Sequence, residues 1–248
     1  MFIKHKRLSN ISLDRGNKEK LFLRQGKIFE SLGIDLNDTH DKLIKLYAAN
    51  PDLNNKYKSI HHNLIIGLSN SRFKEVLEIG THAGVGSTLL AISFPNARIT
   101  TIDLPDNSEV YNTKKFGIPG NDQPYKRKLF IESRDKLLKM HSNINSMQFN
   151  STFLSDFPNN YFDFIFVDGD HKSPQVIIDT FNAIRLVKVG GIIIFDDLLV
   201  GNDAHNIINY FVKLNLIDLI SVHKSISDVE DLKKIGVSRK QSVKSFFN

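Results

Sequence analysis

The feature that most constrains this chain is a short apolar run that ends in glycine. Val76, Leu77, Glu78 and Ile79 lead into Gly80, with Gly84 and Gly86 just ahead of an apolar helical stretch over 87–94. Glycine at such a turn lets the backbone take positive φ and approach a ligand closely. A strand that passes through this turn into a helix reads as the opening of a β-α-β unit. Pro95 and Asn96 close that helix, and a second apolar strand over 99–102 ends at Asp103. The pattern repeats downstream, where a strand over 162–167 ends at Asp168 and another over 192–195 ends at Asp196 and Asp197. Between them, Ser173 reads as an N-cap with Pro174 at the first helical position. Ile177, Phe181 and Ile184 recur along one helical face, and Gly190-Gly191 is expected to end that helix. A helix over 204–214 and a strand over 216–222 follow, with 243–247 as a candidate edge strand. Short apolar strands alternating with helices predict a parallel sheet covered on both faces, which binds ligands outside the carboxyl ends of its strands. Gly80, Asp103, Asp168, Asp196 and Asp197 all stand at those ends.

The flanks are less regular. Residues 1 to about 25 are polar and read as a loose arm, after which Ile28, Leu32, Leu43, Ile44 and Tyr47 recur at helical spacing. Leu64, Ile65 and Leu68 mark a further helix ending near Asn70, so residues 1–69 form a basic arm and helical extension joined to a main domain over 70–248. The segment 105–147 carries a loop rich in Gly, Pro and Asn over 117–124, and then a helix near 131–140. Between Lys4 and Lys27 stand eight Lys or Arg against Asp14 and Glu19, which equals the whole net charge of +6. The rest of the chain is therefore nearly neutral, which argues against a nucleic-acid partner, because phosphate binding needs a positive surface around the site itself. No apolar run reaches the length of a membrane span, and none follows the basic residues between Met1 and Arg7 as a secretory leader would. The chain has no cysteine, which removes disulfides and thiolate chemistry and makes the cytoplasm the expected compartment.

The glycine spacing limits the ligand. A dinucleotide fingerprint needs glycine at the first, third and sixth positions, whereas Gly80, Gly84 and Gly86 fall at the first, fifth and seventh. No Gly-Lys-Ser/Thr occurs, so a phosphate-cradling P-loop is also excluded. The stretch Val-Leu-Glu-Ile-Gly-x-x-x-Gly-x-x-Ser over 76–87 resembles the first motif of class I S-adenosylmethionine-dependent methyltransferases, nearest to the catechol, caffeoyl-CoA and sugar O-methyltransferase branch. The resemblance runs over about 74–200 and implies a Rossmann-like, doubly wound, mostly parallel seven-stranded sheet with an N-terminal helical extension. It implies S-adenosylmethionine as cofactor, with Glu78, Gly80, Thr81, His82 and Gly84 around its methionine end and Asp168 beside it. Asp103, twenty-three residues after Gly80, matches the acid that accepts from both ribose hydroxyls. Ser151 or its neighbour Asn150 would meet the adenine.

By the same resemblance Asp168, Asp196 and Asp197 would hold a divalent ion, Mg²⁺ foremost with Mn²⁺ or Ca²⁺ as alternatives, since oxygen ligands suit hard cations. A metal-bound hydroxyl of a small acceptor (a sugar, a phenol or a natural product) would lose its proton more easily and attack the methyl group. Two residues compete for the role of base, Asp170 by analogy with the sugar enzymes, and His171, whose imidazole titrates near neutrality. His61 and His62, being adjacent, would point apart on a helix and are expected at the surface or as caps. His82 should flank the cofactor and His205 could line the acceptor pocket, while Tyr111 and Tyr125 are expected to pack within their loop. The N-terminal extension would shape the acceptor pocket or a homodimer contact.

Overall fold

The computed structural model describes residues 18–53, 60–113, 118–120, 122–199, 201–223 and 234–241. Helices α1 (Lys18–Ser31), α2 (Leu36–Ala49) and α3 (Ile60–Gly67) precede the sheet. The core alternates β1 (Glu75–Ile79), α4 (Val85–Ser93), β2 (Arg98–Asp103), α5 (Pro124–Lys139), β3 (Ile144–Gln148), β4 (Phe162–Val167), α6 (Gln175–Leu186) and β5 (Val187–Leu198). It ends with α7 (Asp203–Lys213), β6 (Ile220–His223) and β7 (Lys234–Arg239). The seven strands form one sheet in the order β3-β2-β1-β4-β5-β7-β6. β7 alone runs antiparallel to its neighbours. The chain winds outward in both directions from the β1–β4 pair, so the crevice for a ligand opens where those two strands end. This is the expected Rossmann-like sheet.

Alternation along the strands divides the core into two layers. Val76, Phe164, Phe166, Ile192 and Ile194 face α4 and the N-terminal helices, where Phe29, Leu64 and Ile65 are fully buried. Leu77, Ile165, Val167, Ile193 and Phe195 face the opposite way, against Val176, Ala183 and Ile184 of α6 and Ile208 of α7. The N-terminal helices therefore complete one face of the main sheet. α2 is started by Asp35, whose carboxylate accepts from the amides of Asn37 and Asp38, and α7 by Asn202, which accepts from His205.

Several local expectations fail for identifiable reasons. Residues 18–25 belong to α1, while the basic residues before Lys18 and the proposed edge strand 243–247 lie outside the described residues. Gly190-Gly191 does not end a helix; α6 stops at Leu186, and both glycines sit inside β5, with Gly190 at a φ of 78°. A side chain at Gly191 would collide with the Val187 side chain and with the backbone oxygens of Asp163 and Lys188. Of the three residues expected on the inward face of α6, Ile184 is buried but Ile177 and Phe181 are 41% and 47% exposed, and Val176, Thr180 and Ala183 complete that face. Ser173 does not cap α6: Pro174 stands at the cap position with no side-chain bond to the first turn, and the Ser173 amide donates to Asp203 at 2.8 Å. α5 starts at Pro124, well before the expected 131, and β3 lies in a segment that gave no strand signal.

Candidate functional site

The site is assembled at the carboxyl ends of β1, β2, β4 and β5. Gly80 has a φ of 102°, and a Cβ there would overlap the carbonyl of Asp168 on the neighbouring strand end. The ends of β1 and β4 therefore touch backbone to backbone, which only glycine permits. Gly84 initiates α4 in the left-handed region at a φ of 78°. A Cβ on Gly84 would press on Leu138, and one on Gly86 would overlap the Glu78 carboxylate. The three glycines thus keep a thin, backbone-lined turn over a packed floor.

That floor is polar. Glu78 is 1% exposed and accepts from the hydroxyls of Ser87 and Thr101, the latter at 2.6 Å. Burial pushes its carboxyl up from 4.5 to about 7, the two hydroxyl bonds oppose that rise, and the nearby charge of Asp103 adds to it. Thr81 turns its hydroxyl into the same network, 2.6 Å from that of Thr101. Glu78 and Thr81 therefore underlie the turn with their side chains directed into the protein.

Asp103, at the end of β2, faces the turn. Its Oδ2 accepts from the backbone of His82 at 2.7 Å, and its Oδ1 accepts from the backbone of Leu104 at 2.8 Å and from the Tyr111 hydroxyl at 3.0 Å. His82 has a φ of 46° and lays its ring edge-on against Phe130 of α5, with centroids 5.5 Å apart. Tyr111 was expected only to pack within its loop, yet it is 4% exposed and bonded to this carboxylate. Tyr125, by contrast, is 73% exposed.

Beyond β4, the imidazole of His171 lies between two carboxylates, its Nε2 3.6 Å from Asp168 and 3.8 Å from Asp197. Asp170 accepts from the backbone of Lys172 at 3.1 Å, a local turn within its own loop. The Ser151 hydroxyl donates to Asp179 at 2.5 Å and accepts from Gln175 at 2.6 Å. Burial pushes the Asp179 carboxyl up to about 6 against those hydrogen bonds. Asn150 accepts from the amide of Thr152 and caps the turn that follows β3. His205 sits beside Asn209 in the first turns of α7.

The acidic trio Asp168, Asp196 and Asp197 is not gathered around one point. Asp196 is 3% exposed and directs Oδ1 toward Nδ1 of His61 at 4.0 Å, on the sheet face covered by α3. Asp197 has a φ of 52°, and its carboxylate turns instead toward His171. Among the described residues no three His, Asp or Glu side chains are arranged to hold a metal ion. As placed, these residues do not fit a divalent ion held by three carboxylates. His61 and His62, expected at the surface, are 9% and 2% exposed. The His61 ring packs on Phe166 at 5.3 Å, and His62 is hydrogen-bonded to the Tyr47 hydroxyl. Their adjacency gave no sign of this, since the second layer over them is supplied by α2 and the sheet.

Comparison with known proteins agrees with this geometry. A family model for a methyltransferase domain matches residues 77–198. No curated protein sequence matches the chain. Among solved structures, the O-methyltransferase TomG from Streptomyces achromogenes, in complex with S-adenosylmethionine, is similar at a TM-score of 0.54 and 16% identity over 94% of this chain and all (100%) of that one. An O-methyltransferase from Bacillus cereus in complex with S-adenosylhomocysteine gives 0.52 at 14% identity, covering 91% of this chain and 100% of that one. The N-methyltransferase NodS from Bradyrhizobium japonicum gives 0.51 at 16% identity, covering 78% and 98%. These are likenesses of fold. Residues 77–198 match a methyltransferase domain, on a fold shared with methyltransferases solved with S-adenosylmethionine or S-adenosylhomocysteine bound.

Proposed function

We propose that the acceptor is the hydroxyl of a small molecule and that His171 is the base that takes its proton. The observation that carries this reading is the imidazole held between Asp168 and Asp197 at the ends of β4 and β5. The solved structures of similar fold include both O- and N-methyltransferases, so the fold does not choose the accepting atom. A hydroxyl is a poor nucleophile until it is deprotonated, and a ring flanked by two carboxylates is well placed to accept that proton as a stabilised imidazolium. Bound there, S-adenosylmethionine would supply the methyl group to that oxygen, with S-adenosylhomocysteine as the other product, and His171 would return its proton to solvent. Asp103 grips the ribose in this reading, and the Gly80–Gly84 turn carries the methionine end. Asp170, bonded to its own loop, positions the 168–171 segment.

The test is turnover of His171→Ala in the presence and absence of a chelator. Loss of roughly 100-fold or more in kcat is expected, the usual worth of a general base, with chelator leaving the unsubstituted enzyme unaffected. A change of under about threefold would remove His171 from the role of base. Loss of wild-type turnover in EDTA, restored by Mg²⁺, would return deprotonation to a metal ion at these carboxylates.

A further inference from the structure

Asp103 is already well occupied. A carboxylate offers about four lone-pair positions, and three are taken here, two on Oδ1 by the Leu104 amide and the Tyr111 hydroxyl and one on Oδ2 by the His82 amide. A ribose presents two adjacent hydroxyls and needs two acceptor positions, so one existing partner must yield. The two amides are backbone groups of the turn and of the strand end, and neither can withdraw without remaking the site. The phenol can withdraw, because it sits on a side chain.

The structure also shows what holds that phenol in place. The Arg127 guanidinium stacks on the Tyr111 ring 4.1 Å from its centroid and lies 5.9 Å from that of Phe130. Arg127 is 5% exposed, and among the described residues its Nε and Nη1 have no hydrogen-bond partner, while its guanidinium lies against the two aromatic rings. Its Nη2 donates to the Asp106 carbonyl at 3.0 Å. Asp106 is itself fixed by a two-pronged bond from Arg134, at 2.8 and 2.9 Å. The segment following β2 is thereby clamped to α5, and the clamp presents the phenol to Asp103.

We propose that Tyr111 is an internal competitor for the cofactor: its hydroxyl occupies on Asp103 the place of one ribose hydroxyl and sets the cofactor's affinity by having to be displaced. This rests on the ribose role of Asp103. Arg127 is the positioning residue, acting on the competitor through the ring.

Calorimetry with S-adenosylhomocysteine tests it. Tyr111→Phe keeps the ring and its stack but removes the competing donor, and should tighten binding by roughly two- to tenfold, the net worth of one hydrogen bond. A merely structural role would not improve affinity. Unchanged or weaker binding by a folded Tyr111→Phe would overturn the proposal. Should that variant lose its native circular dichroism, Arg127→Met decides in the same way, since it leaves the phenol but releases its clamp: tighter binding supports the competitor, and equal or weaker binding removes it. Asp103→Asn is measured alongside. If it leaves affinity unchanged, the ribose reading itself falls. If it weakens binding while Tyr111→Phe does not tighten it, only the competitor falls.

Discussion

Glu78→Gln should remove a specific component of the pH dependence of stability. The folded protein holds the Glu78 proton up to about 7, against 4.5 for the exposed group, chiefly because the carboxyl is buried. Between those values the native state binds the proton and the unfolded state does not, so stability falls as pH rises. The stabilisation is complete below 4.5 and is lost through about 7. Each pH unit of the gap is worth about 1.4 kcal/mol, so the component amounts to about 3 kcal/mol in all. Gln cannot ionise and lacks it. Urea unfolding followed by circular dichroism at intervals from pH 4.5 to 8 would give the difference between the two proteins. Asp179, also raised by burial, contributes with the same sign but equally to both, and so cancels. The wild type should lose about 3 kcal/mol relative to the variant across that range. A difference that stays constant within about 1 kcal/mol would show that Glu78 is ionised throughout, and the account of the buried floor would fail.

Two further outcomes test other layers of the structure. Gly80→Ala places a Cβ against the Asp168 carbonyl at a φ of 102°; it should cost roughly 1–3 kcal/mol of stability and weaken S-adenosylhomocysteine binding, both read by thermal shift with and without ligand. Phe29→Ala empties a fully buried site against the sheet; it should cost about 3–5 kcal/mol while unfolding stays a single transition, and an independent early transition would show that α1–α3 is a separate unit.

Much of the sheet was legible because its central strands are short, dense apolar runs. β1, β2, β4 and the latter half of β5 are buried on both faces, and such strands announce themselves in sequence. β3 was silent because it is an edge strand with the sequence Ile-Asn-Ser-Met-Gln and is only partly buried. The carboxylates at strand ends were equally visible, but their directions were not. Asp196 and Asp197 are adjacent in sequence and serve opposite faces, a separation made by one residue with positive φ. The roles of Tyr111, Arg127 and His61 could not be read from the sequence, since each owes its place to a partner on another element. On α6 the period was right and Ile184 faces inward as expected, but the face is rotated, because Asp179 and Thr180 lie inward while Ile177 and Phe181 lie outward.

The pairing of Asp196 with His61 has a consequence for how the two halves of the reaction are housed. Among the described residues, the hydrogen bonds of Glu78, Asp103 and Tyr111 come from β2, α4 and the loops after β1 and β2, and Gly80 lies against the end of β4. The end of β5 is different, because α3 supplies the imidazole that faces its buried acid. The helix that covers Asp196, beside the residues assigned to proton transfer, is the same one that packs Leu64 and Ile65 onto the apolar face of the sheet. The residues assigned to the cofactor thus stand on the sheet and its own crossovers, whereas the end assigned to proton transfer is finished by a helix laid down before the sheet begins.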